Sequence, residues 1–350
     1  MSESLKVSFY GDFTFGENYQ AKYDFQEKVS ILRQRGYDFL FDNVKHILYG
    51  SDYNIVNLET QITNAKNSSL EGKKAVLHWN DPDIAPKMLK KYKIQAVSLG
   101  NNHGFDFEDK GLRQSIEALK SEDIEYFGAG VDEDEAAKPL VKQFKIGERT
   151  LNLYVFGGYK YREDYDRDFE FYAKDKKSGI NLLLPEKACG HIRKIKENDS
   201  GSYVVIFVHF GFDLQKTVPM QKEMARGFVD SGADIVIGHG PHMINQIDFY
   251  KSKPLIYSLG NFIFPADFRG KCSPYNLIST LEFSESKKEP EVRLYPVYME
   301  NNSKTPKTRL IKEDEAHIVQ NLLCEEDTSI KEHLECSNDA FGIYFRLKTK

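Results

Sequence analysis

Apolar, strand-like runs that break off in a polar, often glycine-containing turn constrain the fold of this chain more than any other feature. Leu5–Tyr10 (LKVSFY) runs into Gly11-Asp12, Tyr53–Leu58 (YNIVNL) into Glu59, and Ile94–Leu99 (IQAVSL) into the tetrad GNNH at 100–103. Tyr203–Val208 (YVVIFV) ends at His209, and Ala233–Ile237 (ADIVI) ends at GHGPH, 238–242. Helical patterns lie between them at Pro82–Tyr92, Glu108–Lys120 (apolar Leu112, Ile116 and Leu119), Glu186–Glu197 and Met220–Ser231. Strands alternating with helices predict βαβ units and an α/β fold. Thr150–Phe156 adds a further strand, and from Gln246 onward the pattern turns to short hairpin-like strands (QIDFY, KPLIYSLGNF, NLISTLEF and EVRLYPVYM).

The 350 residues allow one or two domains. A hydrophobic fraction of 40% and a charged fraction of 29% exclude disordered, collagenous and coiled-coil classes. The net charge of −5 lacks the basic footprint of a nucleic-acid binder, so an anionic ligand would need local cations or a metal. The most apolar stretch, Tyr203–Phe212, falls well short of the roughly 18 residues of a membrane-spanning helix. The first residues, MSESLKVSFYGD, show no secretory signal, so the expected location is the cytoplasm. Cys189, Cys272, Cys324 and Cys336 are widely spaced and are expected as free thiols.

Two segments stand apart. Lys160–Lys177 (KYREDYDRDFEFYAKDKK) is dense in charge and aromatics, and is expected as a solvated surface excursion rather than a lid over a site. Residues 301–350 open with the polar linker NNSKTPK, carry a helical stretch around Glu313–Leu323 and end in the strand-like FGIYFRLK. They are expected to dock as an appendage on a main domain of residues 1–300.

In open α/β sheets, ligand-binding residues collect just beyond the carboxyl ends of the strands. Five such ends here carry a good metal ligand or its neighbour: Asp12, Glu59, Asn102-His103, His209, and His239 with His242. Four of the nine histidines therefore stand at strand ends, while His46, His78, His191, His317 and His333 lie in less suggestive contexts. Taken singly, most of these residues have ordinary explanations as turn, cap or core residues. GHGPH is more specific, because two histidines on a Gly/Pro-constrained loop after a buried strand rarely serve packing. Oxygen and imidazole ligands without cysteine suit one or two divalent ions such as Mn, Fe or Zn.

The series GD (11–12), NLE (57–59), GNNH (100–103), VHFG (208–211), GHGPH (238–242) and YSLGNFIF (257–264) resembles the CapA family of poly-γ-glutamate capsule synthesis, a branch of the calcineurin-like metallophosphoesterases. The resemblance covers roughly residues 5–300. It implies a four-layer α-β-β-α sandwich of two mixed β-sheets, with the metal site at one edge between the sheets. By the family pattern, Asp12, Asn102, His209, His239 and His242 are metal ligands, and Glu59 takes the place of a bridging carboxylate. His103 becomes the non-ligand acid that protonates a leaving oxygen. Two positions depart from the pattern. Thr14 stands where the superfamily motif Asp-x-His carries its histidine, and Gly240 stands where some relatives carry another.

The function so implied is a phosphoesterase-like hydrolase using a metal-activated water, acting on a phosphorylated or anionic polymer-related substrate in capsule or exopolymer biosynthesis. No residue is assigned to substrate binding. The alternatives are a metal-assisted amide or isopeptide hydrolase or transferase on a polyglutamate-like chain, and a non-catalytic capsule-assembly component. No nucleic acid and no integral membrane segment are expected, and peripheral association with a capsule-synthesis complex fits the family.

Overall fold

A computed structural model describes residues 4–25, 30–268, 270–300 and 306–348. The fold is mixed α/β, organised around two mixed sheets. In the larger, the strands Ser4–Phe13, Tyr53–Leu58, Ala96–Ser98 and Glu125–Phe127 run parallel in that order. Tyr275–Ser284 pairs antiparallel with Ser4–Phe13, and the sheet continues through Glu291–Met299 to the hairpin Leu334–Asp339/Gly342–Leu347. In the smaller, Arg149–Tyr159, Tyr203–His209, Ile235–His239 and Lys253–Ile256 run parallel. Leu140–Ile146 and Ile247–Tyr250 flank them antiparallel.

Alternation along the strands decides what each face buries. Leu5, Val7 and Phe9 of one sheet form a single core with Val205, Phe207, Ile235 and Ile237 of the other, and the Phe9 and Phe207 rings lie 5.5 Å apart. Each such fully buried side chain contributes about 1.5–3 kcal/mol. The opposite face of the larger sheet is covered by helix Glu108–Ser121 through Leu112, Ile116 and Leu119, as its helical spacing predicts. The opposite face of the smaller sheet packs Val204, Ile206 and Val236 against helices Pro185–Asn198 and Pro219–Asp230, through Ile192, Ala225 and Phe228.

The run read as one strand, KPLIYSLGNF, is two. Lys253–Ile256 stays in the smaller sheet, while Asn261–Ile263 crosses to the larger and pairs beside Asp12. The turn between them is tied to both, since Leu259 N–H donates to Gly238 O and Asp12 N–H donates to Gly260 O, each at 2.9 Å. The carboxyl ends of the two parallel sets are thereby held at one edge.

The Lys160–Lys177 segment departs from expectation. Lys160, Tyr165, Phe171, Tyr172 and Ala173 are buried, while Tyr161 and most of the charged residues face water. The aromatics are the cause: Phe171 packs on Tyr159 with ring centroids 5.7 Å apart, at the end of a core strand. In the C-terminal region, a 3-10 turn at Glu313–Glu315 leads into helix Ala316–Leu323. Residues 301–305 of the polar linker lie outside the described residues. No helix among the described residues is long and apolar enough to cross a membrane, and all four cysteines are free thiols.

Candidate metal centre

Asp12 sits at the end of its strand with no exposed surface. Its Oδ1 accepts from the Asn57 side-chain amide at 2.8 Å, and its Oδ2 accepts from Gly240 N–H at 3.2 Å. Three imidazoles surround it. His239 Nδ1 and His209 Nδ1 stand 3.4 and 3.8 Å from Oδ1, and His242 Nδ1 stands 3.4 Å from Oδ2. The His209 and His239 Nδ1 atoms are 3.0 Å apart, because parallel pairing sets these two residues side by side. Glu59 extends the cluster, its Oε1 lying 3.7 Å from His242 Nε2. The buried carboxylates and imidazoles thus form two groups of metal-ligand spacing, Asp12–His209–His239 and Asp12–Glu59–His242. Asp12 is common to both, whereas the family pattern gave the bridging place to Glu59.

The electrostatics mark a deficit of positive charge. Both Glu59 carboxylate oxygens are buried without a hydrogen-bond donor, as is Asn102 Oδ1. Burial, reinforced by the Asp12 charge, therefore pushes the Glu59 pKa well above the carboxylate range. Burial also works against the Asp12 carboxylate, but hydrogen bonds from His239 and His242 and the charge of His209 outweigh it and hold Asp12 well below its usual value. Burial lowers the pKa of His209 and His239. It lowers His242 too, but Glu59 and Asp12 reverse the effect and bring that group up to about 10. A divalent cation among these oxygens and nitrogens would remove the cost of the orphaned carboxylate, so the residues present fit such an ion.

Neighbouring residues orient the ligands. Asn261 Oδ1 accepts from His242 Nδ1 at 2.9 Å, which fixes the ring with Nε2 turned toward Glu59. His242 holds φ +58°, a conformation that a non-glycine residue occupies only when its surroundings impose it. Gly240 has φ +113°, and a Cβ there would stand 2.8 Å from His209 Nε2, so with His209 in this position the third residue of GHGPH is best filled by glycine. Thr14 offers no substitute for the missing histidine, since its hydroxyl pairs with the Asn80 amide and accepts from Gly16 N–H, each at 3.1 Å. In the GNNH turn the two asparagines divide the work. Asn101 donates to Asn57 Oδ1 and Leu58 O at 3.0 and 2.9 Å, fixing the turn, while Asn102 keeps a free Oδ1.

His103 stands beside the candidate ligands, its Nε2 4.0 Å from Glu59 Oε1. Its Nδ1 donates to Asp106 Oδ2 at 2.6 Å. Asp106 also accepts from His78 N–H at 2.6 Å and from Lys74 Nζ. The His78 ring stacks on His103 at 3.6 Å and 13°, and its own nitrogens bond Glu59 O and Tyr19 OH, each at 2.9 Å. Burial, with Lys74 and His242 close by, lowers the His103 pKa well below its usual value. Sequence reasoning missed Asn57, Lys74, His78 and Asp106. Asp106 alone left a signal, three residues after His103 in the same turn.

The sequence profile described as bacterial capsule synthesis protein PGA_cap matches residues 6–266. The chain belongs to that family. Among curated proteins, it is 28% identical over 271 residues to the capsule biosynthesis protein CapA of Bacillus anthracis, covering 75% of this chain and 60% of that protein. It is 29% identical over 261 residues to the PGA biosynthesis protein CapA of Bacillus subtilis strain 168, covering 74% and 63%. A probable polyglutamine synthesis accessory protein of Mycobacterium tuberculosis is 25% identical over 221 residues, covering 61% and 56%. The chain thus spans about three fifths of the length of the Bacillus relatives it matches. The matched PGA_cap region contains all six sequence-assigned ligand positions and His103.

Proposed function

We propose that this protein is a metal-dependent hydrolase of the phosphoesterase type, acting in capsule or polyglutamate biosynthesis. One observation carries the reading: both Glu59 carboxylate oxygens are buried without a donor in a cluster with Asp12 and His242, which shares Asp12 with His209 and His239. The two facing sheets with helices on both outer surfaces support the four-layer calcineurin-like arrangement, with residues 1–300 as the main domain and 301–350 docked on its edge strands.

In this reading Asp12, Glu59, Asn102, His209, His239 and His242 hold one or two divalent ions. The bound ion supplies Lewis-acid polarisation of a phosphoryl oxygen and lowers the pKa of a water. His103 presents Nε2 to the reacting group and carries the proton to the leaving oxygen. Asp106 fixes the Nδ1–H tautomer and stabilises the imidazolium that forms, and Lys74 balances the Asp106 charge. The sheet edge and the aromatic residues around His103 keep bulk water from these groups.

A panel of phosphodiesters, phosphomonoesters and γ-glutamyl peptides, run on Mn-reconstituted protein and on Asp12→Ala, tests the proposal. Phosphoester turnover that Asp12→Ala abolishes supports it. Turnover of the γ-glutamyl peptides alone moves the chemistry to an amide hydrolase. Full restoration of polymer production by Asp12→Ala in a deletion strain contradicts a catalytic role.

A further inference from the structure

One buried amine at the sheet edge has no hydrogen-bond partner among the described residues. Burial and the nearby Arg162 charge bring the Lys160 pKa down to about 7, against the pull of Asp213 and Asp164, which act on it only through space. The chain leaves the Arg149–Tyr159 strand at Lys160, whose peptide N–H donates to His209 O at 3.2 Å. Lys160 therefore stands on the same edge as the ligand cluster, one strand from His209. Its side chain is only 2% exposed, and Nζ meets no hydrogen-bond acceptor among the described residues. The ammonium faces the Phe212 ring instead, 2.9 Å from its centroid. Phe212 is 38% exposed, on the loop that follows His209. An aromatic face is a weaker partner for an ammonium than a carboxylate or phosphate oxygen. A buried ammonium without an acceptor costs stability that an apolar side chain of the same length would not.

The neighbouring residues suit an anionic ligand. Arg162, two residues on, is half-buried, lies over the Tyr165 ring and is held by Asp164 through Nε at 3.0 Å. Tyr161 between them is 49% exposed. Lys160, Arg162 and the exposed rings of Tyr161 and Phe212 thus lie on the two chain segments that leave the sheet at Tyr159 and His209.

We propose that Lys160 is an anion-recognition residue of this site, and that Phe212 is a cover displaced by a carboxylate or phosphate group of the substrate. This deepens the hydrolase reading and rests on it for the identity of the neighbouring centre. Lys160 binds the anion by charge and hydrogen bond, holding the substrate against the sheet edge, and takes no part in bond cleavage. The chemistry is shared by a phosphate group and by the pendant α-carboxylate of a γ-linked glutamate polymer.

The test is calorimetric titration of the full chain, chelator-treated and Mn-loaded, with inorganic phosphate and separately with a γ-linked glutamate trimer. In either state, Lys160→Met weakens binding of at least one probe by about tenfold or more, the loss of a charge-assisted hydrogen bond. Lys160→Arg retains most of the binding, and Phe212→Ala binds at least as tightly as wild type. The melting temperature of Lys160→Met rises, because a stranded charge has been removed. The probe that loses affinity identifies the anion as phosphate or carboxylate. Binding of both probes by Lys160→Met within about twofold of wild type, or binding of neither probe by wild type, overturns the proposal. A lowered melting temperature with unchanged probe binding marks Lys160 as a packing residue and also overturns it. Absence of Mn uptake with Lys160-dependent binding intact sinks the hydrolase reading and leaves the anion site standing.

Discussion

His103 and Asp106 are joined by a hydrogen bond of 2.6 Å from Nδ1 to Oδ2, both buried, within one turn after the Ala96–Ser98 strand. Asp106 is in turn held by Lys74, whose ammonium also donates to Asn102 O at 2.6 Å. His103, the proposed proton carrier, and Asn102, the proposed ligand, are therefore both tied to one buried ion pair. Nothing in the spacing of GNNH alone requires that link.

Asp106→Asn should keep the metal and lose about a hundredfold in turnover, the scale of a misassigned general acid. The Lys74 ammonium loses its counter-charge as well, so stability should fall by about 3–5 kcal/mol. Metal content, phosphodiester turnover and a urea melt measured on the same preparation separate these effects. Unchanged turnover would remove His103 from the chemistry.

Glu59→Gln should act in opposite directions with and without metal. In metal-free protein it removes a buried carboxylate that no donor satisfies, and should stabilise the fold by about 1–3 kcal/mol. At saturating Mn the wild type gains stabilisation that the variant forgoes, about 2.7 kcal/mol at a hundred times Kd. Thermal melts with chelator and with Mn should therefore cross in order; a variant destabilised in both would show that Glu59 has a satisfied structural role.

Gly100→Ala should loosen the site from outside it. A Cβ at this position would lie 2.4 Å from Gly158 Cα, a backbone atom that cannot rotate away. The GNNH turn must then shift from the Arg149–Tyr159 strand, carrying Asn102 and His103 with it. The expected cost is about 1–3 kcal/mol of stability, with a larger fractional loss of turnover than of metal. A melt and a kinetic assay check both.

The edge-docked C-terminal region predicts a pH dependence far from the centre. Arg309 holds Glu315 through two hydrogen bonds, Nη1–Oε2 at 2.7 Å and Nη2–Oε1 at 2.8 Å. Chiefly for that reason the Glu315 pKa falls from its ordinary 4.5 to about 2. A depressed carboxyl contributes stability above its unfolded value and loses it as pH falls toward the folded one. Glu315→Gln should therefore be less stable than wild type at pH 7, and the gap should close between about pH 4.5 and pH 2. Urea midpoints at a series of pH values read this directly, and a gap constant over that window would contradict it.

The strand-end rule gave the α/β class and led to the residues that meet at one edge, because parallel strands deliver their carboxyl ends together whatever the loops contain. The supporting residues were not legible. Lys74 and His78 come from a loop with no periodic pattern, and reach His103 only once the chain has folded back on it. The charge density of Lys160–Lys177 suggested solvent exposure, but its interleaved aromatics bury themselves on Tyr159 and Phe105 and carry Lys160 inward. Composition describes the average side chain of such a segment, while the fold is decided by the alternate ones. KPLIYSLGNF misled similarly, since a continuous apolar run cannot show that the chain changes sheets at Ser258–Gly260.

The most direct test is elemental analysis of wild type, Asp12→Ala and His209→Ala after Mn reconstitution and gel filtration. One or two ions per chain in wild type are expected, with stoichiometric binding lost in both variants. Wild type that retains no divalent ion, or variants that retain as much as wild type, would contradict a metal centre built on Asp12.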